Sequence, residues 1–269
     1  MTSRWIARRP EKPRAQLRLF CLPYAGGSAA LYRSWHGHFP ESIDLCPVEL
    51  PGRLARRHDP VVADIAGVVG ALDEAATPLL DIPFAFFGYS MGAVLAYEWA
   101  HRVSIRQRER FRHLIVAARP APHLAPRQRY IHPSMTEEEF VDSLGKRYGN
   151  RLQPVLAHAE LRAHAIGVMR SDLGMLDAYV HEQRSPLDTP ITAIGGTDDT
   201  LVPHQDLHAW GQLTGATFTP HQVPGDHFFI QSRESDLPRL IVGALLREVA
   251  PRTSCFSAHP NGNCQFAPR

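Results

Sequence analysis

Short apolar runs alternate along the chain with longer segments of helical periodicity. Two of these segments, residues 61–80 and 93–100, repeat apolar side chains at helical spacing. Six apolar runs have the length and composition of strands: residues 17–22, 43–50, 84–87, 114–118, 191–194 and 218–223. Strands that alternate with helices usually pair in parallel, with helices covering both faces of the sheet. The pattern therefore predicts an α/β fold with a mostly parallel sheet.

This alternation is interrupted between residues 120 and 190, where no convincing strand occurs. Thr136 and Glu139 form a capping-box pattern that predicts the start of one helix. A second helix is predicted from residues at helical intervals: Leu161, Ala165, Val168, Asp172, Leu176 and Tyr179. A helical insertion between two strands is well placed to cover a site at the strand ends. We therefore predict a lid at about residues 121–188, with an ordinary pair of packing helices as the alternative.

The two ends of the chain differ from the region between them. Residues 1–15 are rich in Arg and Pro and lack the apolar stretch of a secretory signal, which indicates a short lead-in. Residues 252–269 show no periodicity and are predicted to be a disordered tail. Residues 16–251 are then expected to form a single domain.

A glycine-flanked serine follows the third apolar run, in the segment Gly88-Tyr89-Ser90-Met91-Gly92. The run before it predicts a strand and the series after it predicts a helix. A strand, a sharp turn and a helix form the nucleophile elbow of hydrolases, in which a strained turn exposes the Ser oxygen above the sheet. A buried serine in an ordinary glycine turn is the alternative, and the local context favours Ser90 as a nucleophile.

A serine needs a base, and one of the 15 histidines stands out by its position. His227 follows the last predicted strand, so it lies where the sheet's carboxyl edge is expected. His221 is the closest competitor but belongs to the strand pattern itself. A carboxylate must orient the imidazole, and Asp198 and Asp199 both follow the strand before it. Asp226 is a weaker candidate because a direct neighbour of His227 reaches its ring with difficulty.

The order Ser, Asp, His along the chain is the one expected of the α/β-hydrolase fold. In that fold two backbone N–H groups form an oxyanion hole: one from the residue after the nucleophile and one from the loop after an early strand. Here these donors are predicted to be Met91 and Ala25, in the glycine-rich loop of residues 22–28. A phosphate-binding role for that loop is disfavoured, because no lysine follows as in a P-loop.

Composition narrows the classes of function. The 269 residues carry a formal net charge of only +2, which argues against nucleic acid as a partner. No run of 18 apolar residues occurs, so no membrane-spanning helix is expected. The lack of a secretory signal in residues 1–15 predicts a cytoplasmic location. Cys21 and Cys46 lie in apolar runs typical of buried thiols, whereas Cys255 and Cys264 lie in the tail. No cysteine has metal-ligand spacing, so no metal site is expected. A triad of serine, acid and histidine also needs no cofactor.

Four segments together resemble the type II thioesterases that accompany polyketide synthases and nonribosomal peptide synthetases. They are Leu22-Pro23-Tyr24-Ala25-Gly26-Gly27-Ser28, Leu50-Pro51-Gly52-Arg53, Gly88-Tyr89-Ser90-Met91-Gly92 and Gly225-Asp226-His227-Phe228-Phe229. The similarity runs from about residue 17 to residue 246. It implies a stand-alone thioesterase that hydrolyses acyl groups from the phosphopantetheine arm of acyl or peptidyl carrier proteins, as an editing step. A general carboxylesterase or lipase acting on small soluble esters is the alternative.

The resemblance also implies roles for individual residues. A Gly-x-x-Asp-x-x-Val register favours Asp199 over Asp198 as the third member of the triad. Residues of the shared segments are candidates to contact the arm: Tyr24, Gly26, Gly27, Arg53, Tyr89 and Phe228. Members commonly have His where this chain has Tyr24 and Tyr89, which puts the acyl preference in question. Arg127 and Arg129, at the start of the predicted lid, are candidates to steer an acidic carrier, whereas the arginines of residues 101–113 are expected to form a solvated face away from the site.

Overall fold

Six parallel strands form the centre of the protein in a computed structural model that describes residues 4–125, 129–132, 134–149, 159–232 and 234–249. The strands are β1 (Leu17–Leu22), β2 (Ile43–Pro47), β3 (Phe84–Tyr89), β4 (Phe111–Ala117), β5 (Ile191–Gly196) and β6 (Phe218–Val223). Their order in the sheet is β2-β1-β3-β4-β5-β6, and every neighbouring pair is parallel. The predicted α/β fold with a parallel sheet is confirmed.

Within the described ranges, six α-helices connect or follow these strands. They are α1 (Ile65–Ala76), α2 (Met91–Gln107), α3 (Glu137–Tyr148), α4 (Ala159–Ala178), α5 (His204–His208) and α6 (Leu237–Val249). Helix α1 is shorter than its apolar pattern because Asp64 caps it, accepting a 2.7 Å hydrogen bond from the Gly67 N–H. Strand β2 ends at Pro47, before the predicted residue 50, because Val48 forms an isolated antiparallel bridge with Ile6.

Successive side chains of a strand point to opposite faces, and the sheet accordingly separates two apolar cores. On one face Phe86 stacks on Trp99 of α2, with ring centroids 4.0 Å apart. On the other face its neighbour Phe87 packs against Trp35 at 5.4 Å. Cys21 and Cys46 are buried free thiols in these cores, whereas the tail cysteines lie outside the described residues.

The insertion between β4 and β5 is helical, and its described part contains α3 and α4. The predicted capping box begins α3: the Glu139 N–H donates to Thr136 Oγ1 at 3.2 Å and the Thr136 N–H donates to Glu139 Oε2 at 2.8 Å. Arg127, like the residues from 250 onward that include the predicted tail, lies outside the described residues. Within the part of the chain that is described, no helix has both the length and the apolar character needed to cross a bilayer.

Candidate active site

Ser90 stands on a strained turn between β3 and α2. Its φ of +53° and ψ of −111° lie in a region that non-glycine residues rarely adopt. The turn is possible because Gly88 and Gly92 have no side chains: a Cβ on Gly88 would lie 2.2 Å from the Gly92 carbonyl oxygen, and one on Gly92 would lie 2.2 Å from that of Leu22. The two glycines thus allow helix and strands to approach closely enough to push the serine out at the strand end.

This close approach predicts a large difference between two Gly→Ala changes. Gly92→Ala is expected to destabilise the protein by more than about 4 kcal/mol, because the new methyl group meets backbone that cannot move aside. Gly243→Ala, at an exposed position of α6 with nothing within 4 Å of the new Cβ, is expected to add about 0.5–1 kcal/mol of stability. Thermal unfolding of both variants measures the contrast, and similar melting temperatures would show that the glycine contacts are not essential.

The structure brings Ser90, His227 and Asp199 together in one hydrogen-bonded chain. The Ser90 Oγ lies 3.2 Å from the His227 Nε2, and the His227 Nδ1 lies 2.9 Å from the Asp199 Oδ2. This is the connectivity in which a carboxylate orients an imidazole that takes the serine proton. The residues come from the ends of three strands, β3, β5 and β6, which meet at the carboxyl edge of the sheet.

The conformation of the loop after β5 places Asp199, rather than Asp198, against His227. Asp199 has a fully buried side chain, and its second oxygen accepts a 3.0 Å hydrogen bond from the Leu201 N–H. Asp198 is exposed. The backbone sets this arrangement, since the Asp198 N–H donates to the Gly225 carbonyl at 3.0 Å and joins the Asp loop to the His loop. Asp226 instead accepts a hydrogen bond from the Phe228 N–H, and His221 lies within β6.

The two predicted oxyanion donors both lie next to Ser90. Met91 is the first residue of α2, so its N–H has no acceptor within the helix. This N–H lies at the positive end of the helix dipole. Ala25 lines a small cavity of about 20 Å³ together with Ser90 and His227. This arrangement is compatible with both residues in the predicted role.

A buried ion pair forms hydrogen bonds with the loop that carries Ala25. Arg53 and Asp172 pair through one guanidinium nitrogen and the Asp172 Oδ2. The same carboxylate oxygen accepts the Gly26 N–H at 2.6 Å, and the Arg53 Nε donates to the Gly27 carbonyl at 3.1 Å. Burial raises the pKa of Asp172, while the Arg53 charge and the two hydrogen bonds act in the opposite direction.

The six residues predicted to contact the arm divide into separate groups. Tyr24 and Phe228 line the small cavity beside Ser90, in contact with each other at a centroid distance of 5.5 Å. Gly26 and Gly27 use their N–H groups within the protein, on Asp172 and on the Tyr24 carbonyl. The arm therefore does not find free N–H donors at these two glycines.

For Arg53 and Tyr89 the structure corrects the prediction of arm contact. Arg53 is only 6% exposed, and each of its three guanidinium nitrogens donates to a protein oxygen: the Gly27 and Pro51 carbonyls and Asp172. Tyr89 is fully buried and its hydroxyl donates to the His227 carbonyl at 2.7 Å. Buried groups with satisfied hydrogen bonds position neighbouring backbone, and they have no free surface for a substrate.

The helical insertion covers the site, as its position in the sequence predicts. The Tyr148 ring, at the end of α3, lies 5.8 Å from the His227 ring and 5.5 Å from the Phe228 ring, measured between centroids. Met169 of α4 lines the small cavity from the other side. Whether these helices move as a lid stays a prediction.

A larger cavity of about 270 Å³ opens beside Ser90 and His227, between the insertion and the strand ends. Its apolar wall includes Ala118, Leu176 and Val202, and its polar wall includes Arg119 and Tyr130, joined by a 3.0 Å hydrogen bond. This cavity provides space next to the Ser90 and His227 side chains.

Asp172 and Tyr148 are among the residues of this site that were not assigned a role from the sequence. Asp172 appears there only as one position of an apolar helical stripe, and an acid within such a stripe is itself a signal, because a buried carboxylate requires a partner. Tyr148 carries no comparable signal, since aromatic residues on the buried face of a helix are ordinary core residues.

The arginines of residues 101–113 lie far from this site. Arg102 and Arg106 both bind the buried Asp73, at 2.8 and 2.5 Å, and Arg108 pairs with Asp188. Helix α2 begins at the serine, and its 17 residues extend about 25 Å, which places these arginines beyond the opposite edge of the sheet. This agrees with the expectation of a basic face away from the site.

The fold and the serine site together define a serine hydrolase of the α/β-hydrolase class. A family model described as a thioesterase domain matches residues 17–243. The chain is 32% identical over 250 residues to the gramicidin S biosynthesis protein GrsT of Aneurinibacillus migulanus, which covers 93% of this chain and 97% of that protein. The chain therefore belongs to the thioesterase family.

Two solved structures show the same similarity in three dimensions. RedJ, a thioesterase from the prodiginine biosynthetic pathway of Streptomyces coelicolor, superposes with a TM-score of 0.78 at 30% identity, covering 90% of both chains. BorB, the type II thioesterase from the borrelidin biosynthetic cluster, superposes with a TM-score of 0.75 at 31% identity, covering 91% of this chain and 98% of that one. These relatives favour thioester hydrolysis over the general carboxylesterase alternative.

Proposed function

We propose that this thioesterase removes acyl groups from the phosphopantetheine arm of carrier proteins in a polyketide or nonribosomal peptide assembly line. The observation that supports it most is a similarity that spans nearly the whole chain to thioesterases of such pathways, at 30–31% identity. The hydrogen-bonded Ser90, His227 and Asp199 supply the hydrolytic machinery that this activity needs. An editing role, which clears stalled acyl units, follows from the resemblance to type II enzymes.

The first chemical step transfers the acyl group to the enzyme. His227 Nε2 takes the Ser90 proton as Oγ attacks the thioester carbonyl, and the buried Asp199 stabilises the imidazolium that forms. The backbone N–H groups of Ala25 and Met91 hold the developing oxyanion. The C–S bond then breaks and His227 returns the proton to the departing thiol.

The second step is hydrolysis of the acyl-Ser90 ester. His227 removes a proton from a water molecule that attacks the ester carbonyl, and it then returns a proton to Ser90 Oγ as the acid leaves. The proposed reaction uses these side chains, the two backbone N–H groups, water and the substrate's own arm.

The size of the cavity beside Ser90 favours a short acyl group. Its volume of about 270 Å³ is below the range of roughly 300–1,000 Å³ that is usual for pockets binding drug-sized ligands. Acetyl, propionyl and short aminoacyl groups fit such a space, whereas a long fatty acyl chain would extend beyond it.

Hydrolysis of a panel of acyl groups loaded on a carrier protein tests the proposal. The expected result is a higher kcat/KM for short acyl-carrier proteins than for a p-nitrophenyl ester of the same acid, with Ser90→Ala as background. The matching acyl-pantetheine separates recognition of the arm from recognition of the carrier. Efficient cleavage of the nitrophenyl ester without cleavage of any acyl-carrier protein would identify a general carboxylesterase.

An exposed arginine beside the cavity is expected to contribute to carrier recognition. Arg129 adjoins the cavity-lining Tyr130, and its predicted companion Arg127 lies outside the described residues. Arg129→Glu should raise KM for an acyl-carrier protein by up to about fivefold, since exposed ion pairs contribute at most about 1 kcal/mol. KM for a small acyl thioester should not change.

Arg108→Glu is the matched control, because this exposed arginine lies at the far end of α2. It should leave KM for both substrates unchanged. Equal effects of Arg129→Glu on the carrier and the small thioester, or none on either, would remove Arg129 from the docking surface.

A further inference from the structure

A buried ion pair joins three separate parts of the chain behind the loop that precedes the serine site. Arg53 follows β2, Asp172 lies on helix α4 of the insertion, and Gly26 and Gly27 belong to the loop after β1. Both charged side chains are at most 6% exposed. Each side chain also binds the loop: Asp172 accepts the Gly26 N–H, and the Arg53 Nε donates to the Gly27 carbonyl.

These contacts act on the peptide group that carries the Ala25 N–H. The Tyr24 carbonyl belongs to that same peptide group and accepts the Gly27 N–H at 2.8 Å. In a trans peptide the N–H points opposite to the C=O, so a carbonyl held inside the turn directs the Ala25 N–H out of it. The Gly27 N–H can hold the Tyr24 carbonyl only if Gly27 itself is fixed. Arg53 fixes Gly27 through its carbonyl, and Asp172 fixes the neighbouring Gly26 through its N–H.

Helix α4 also lies against the same loops through two side chains that precede Asp172. Met169 occupies the space beside Gly26, where a Cβ would lie 2.8 Å from its Cγ. The His164 Nε2 lies 2.8 Å from the Gly52 carbonyl oxygen, next to Arg53. The Asp172 carboxylate that binds the loop therefore belongs to helix α4, which also covers the site.

We propose that Asp172 and Arg53 are positioning residues that set the oxyanion hole, so that the hole is complete only when helix α4 is seated on the loop. This inference rests on the proposed function, in which the Ala25 N–H is one of the two donors. Asp172 and Arg53 do not touch the reacting atoms. They act on the transition state through the orientation of a single backbone N–H.

The consequence for catalysis follows from the geometry that an oxyanion donor needs. Such a donor must lie within hydrogen-bond distance of the oxygen in the transition state, and loss of one donor costs about 10²–10³-fold in kcat. Displacement by about 1 Å is enough to lose up to about 10²-fold. Binding of the substrate arm and acyl group is not expected to change, because neither charged side chain reaches the surface of the site.

Asp172→Ala is the first test. The expected result is a fall of about 10²-fold in kcat with little change in KM, because the interaction is made only in the transition state. Labelling of Ser90 by a fluorophosphonate should slow in parallel, since its reaction also places an oxygen in the hole. Asp172→Asn keeps an oxygen that accepts the Gly26 N–H, and it should recover part of the activity.

Asp73→Ala is the matched control for loss of a buried carboxylate. Asp73 is 2% exposed and binds two arginines and Trp99 at the far end of α2. This variant should have a lower Tm but an unchanged kcat and an unchanged labelling rate per folded molecule. A role of Asp172 in stability alone would give the same result, with a lower Tm and normal kcat, and would overturn the proposal.

A double variant addresses the case in which Asp172→Ala does not fold. Arg53→Met with Asp172→Leu removes both buried charges and keeps the volume filled, a change that proteins often tolerate. It also removes both contacts to the loop, so it should fold and still show the fall in kcat and labelling. A folded double variant with wild-type kcat would overturn the proposal.

Labelling does not involve a carrier protein, and this separates the two proposals. If the wild-type enzyme is labelled at Ser90 but hydrolyses no acyl-carrier protein, the proposed function fails while the comparison of labelling rates remains valid. If the wild-type enzyme hydrolyses acyl-carrier protein and the Asp172 and Arg53 variants do so at the same rate, only the positioning role fails.

Discussion

Replacing Ser90 with alanine is expected to abolish turnover while leaving the fold intact. The change removes the nucleophilic oxygen and adds no bulk, and the backbone strain at φ +53° is common to both residues. A loss on the order of 10⁶-fold in kcat is typical for the nucleophile of a triad. Steady-state hydrolysis of an acyl-carrier protein measures it, with circular dichroism to show that the variant is folded.

Ser104→Ala is the matched control, since this serine lies on the same helix and donates only to the His101 carbonyl. It should keep the wild-type rate. His227→Ala should resemble Ser90→Ala, and the double variant should be no slower than either single one, because the two residues act as one unit. Near wild-type hydrolysis by Ser90→Ala would refute the elbow assignment.

Asp199→Asn is expected to lower kcat by up to about 10⁴-fold, because an amide favours the wrong tautomer of the imidazole. The reason lies in the 2.9 Å contact between the His227 Nδ1 and the Asp199 Oδ2. An asparagine NH₂ at that position would donate to Nδ1 and leave the proton on Nε2, where it blocks transfer from Ser90. The kcat values measured across a pH range, with KM for the same substrate, check this result.

Asp198→Asn serves as the control, because it is a neighbouring acid on the same loop that is exposed to solvent. Its effect on kcat should be small. A larger effect at Asp198 than at Asp199 would mean that the carboxylate is wrongly assigned and that the loop rearranges in solution.

The sequence predicts the secondary structure well where a local pattern carries the signal. The first and last predicted strands agree with β1 and β6 in both bounds. The helix predicted at residues 93–100 is part of the longer helix α2, which extends from residue 91 to 107. The prediction is too short because charged residues follow the apolar stretch and hide the helical pattern. The bounds of β2 depend instead on the bridge between Val48 and Ile6, which no local pattern reveals.

The sequence predicts some residues of the site correctly and others wrongly, depending on whether their contacts are local in the chain. The elbow at Ser90 is local, because both glycines and the flanking strand and helix lie within a few residues of it. The charged partner of Arg53 is not local: Asp172 is 119 residues away along the chain. From the sequence alone, the arginine of the Pro-Gly-Arg motif is expected to be exposed and to contact substrate. Only the folded protein shows that it forms a buried ion pair.

The sequence by itself determined the six strands and the helices up to the insertion, which serine stands at a strained turn, and the order of nucleophile, acid and base along the chain. These features follow from steric and hydrophobic preferences that act within one or two turns of the chain. Only the tertiary structure decided the order of strands in the sheet and the burial of Arg53 and Tyr89. It also decided that the Asp172 carboxylate meets the loop of Ala25. These contacts join residues distant in the sequence, and their energy comes from desolvation and packing that exist only once the helical insertion lies against the sheet.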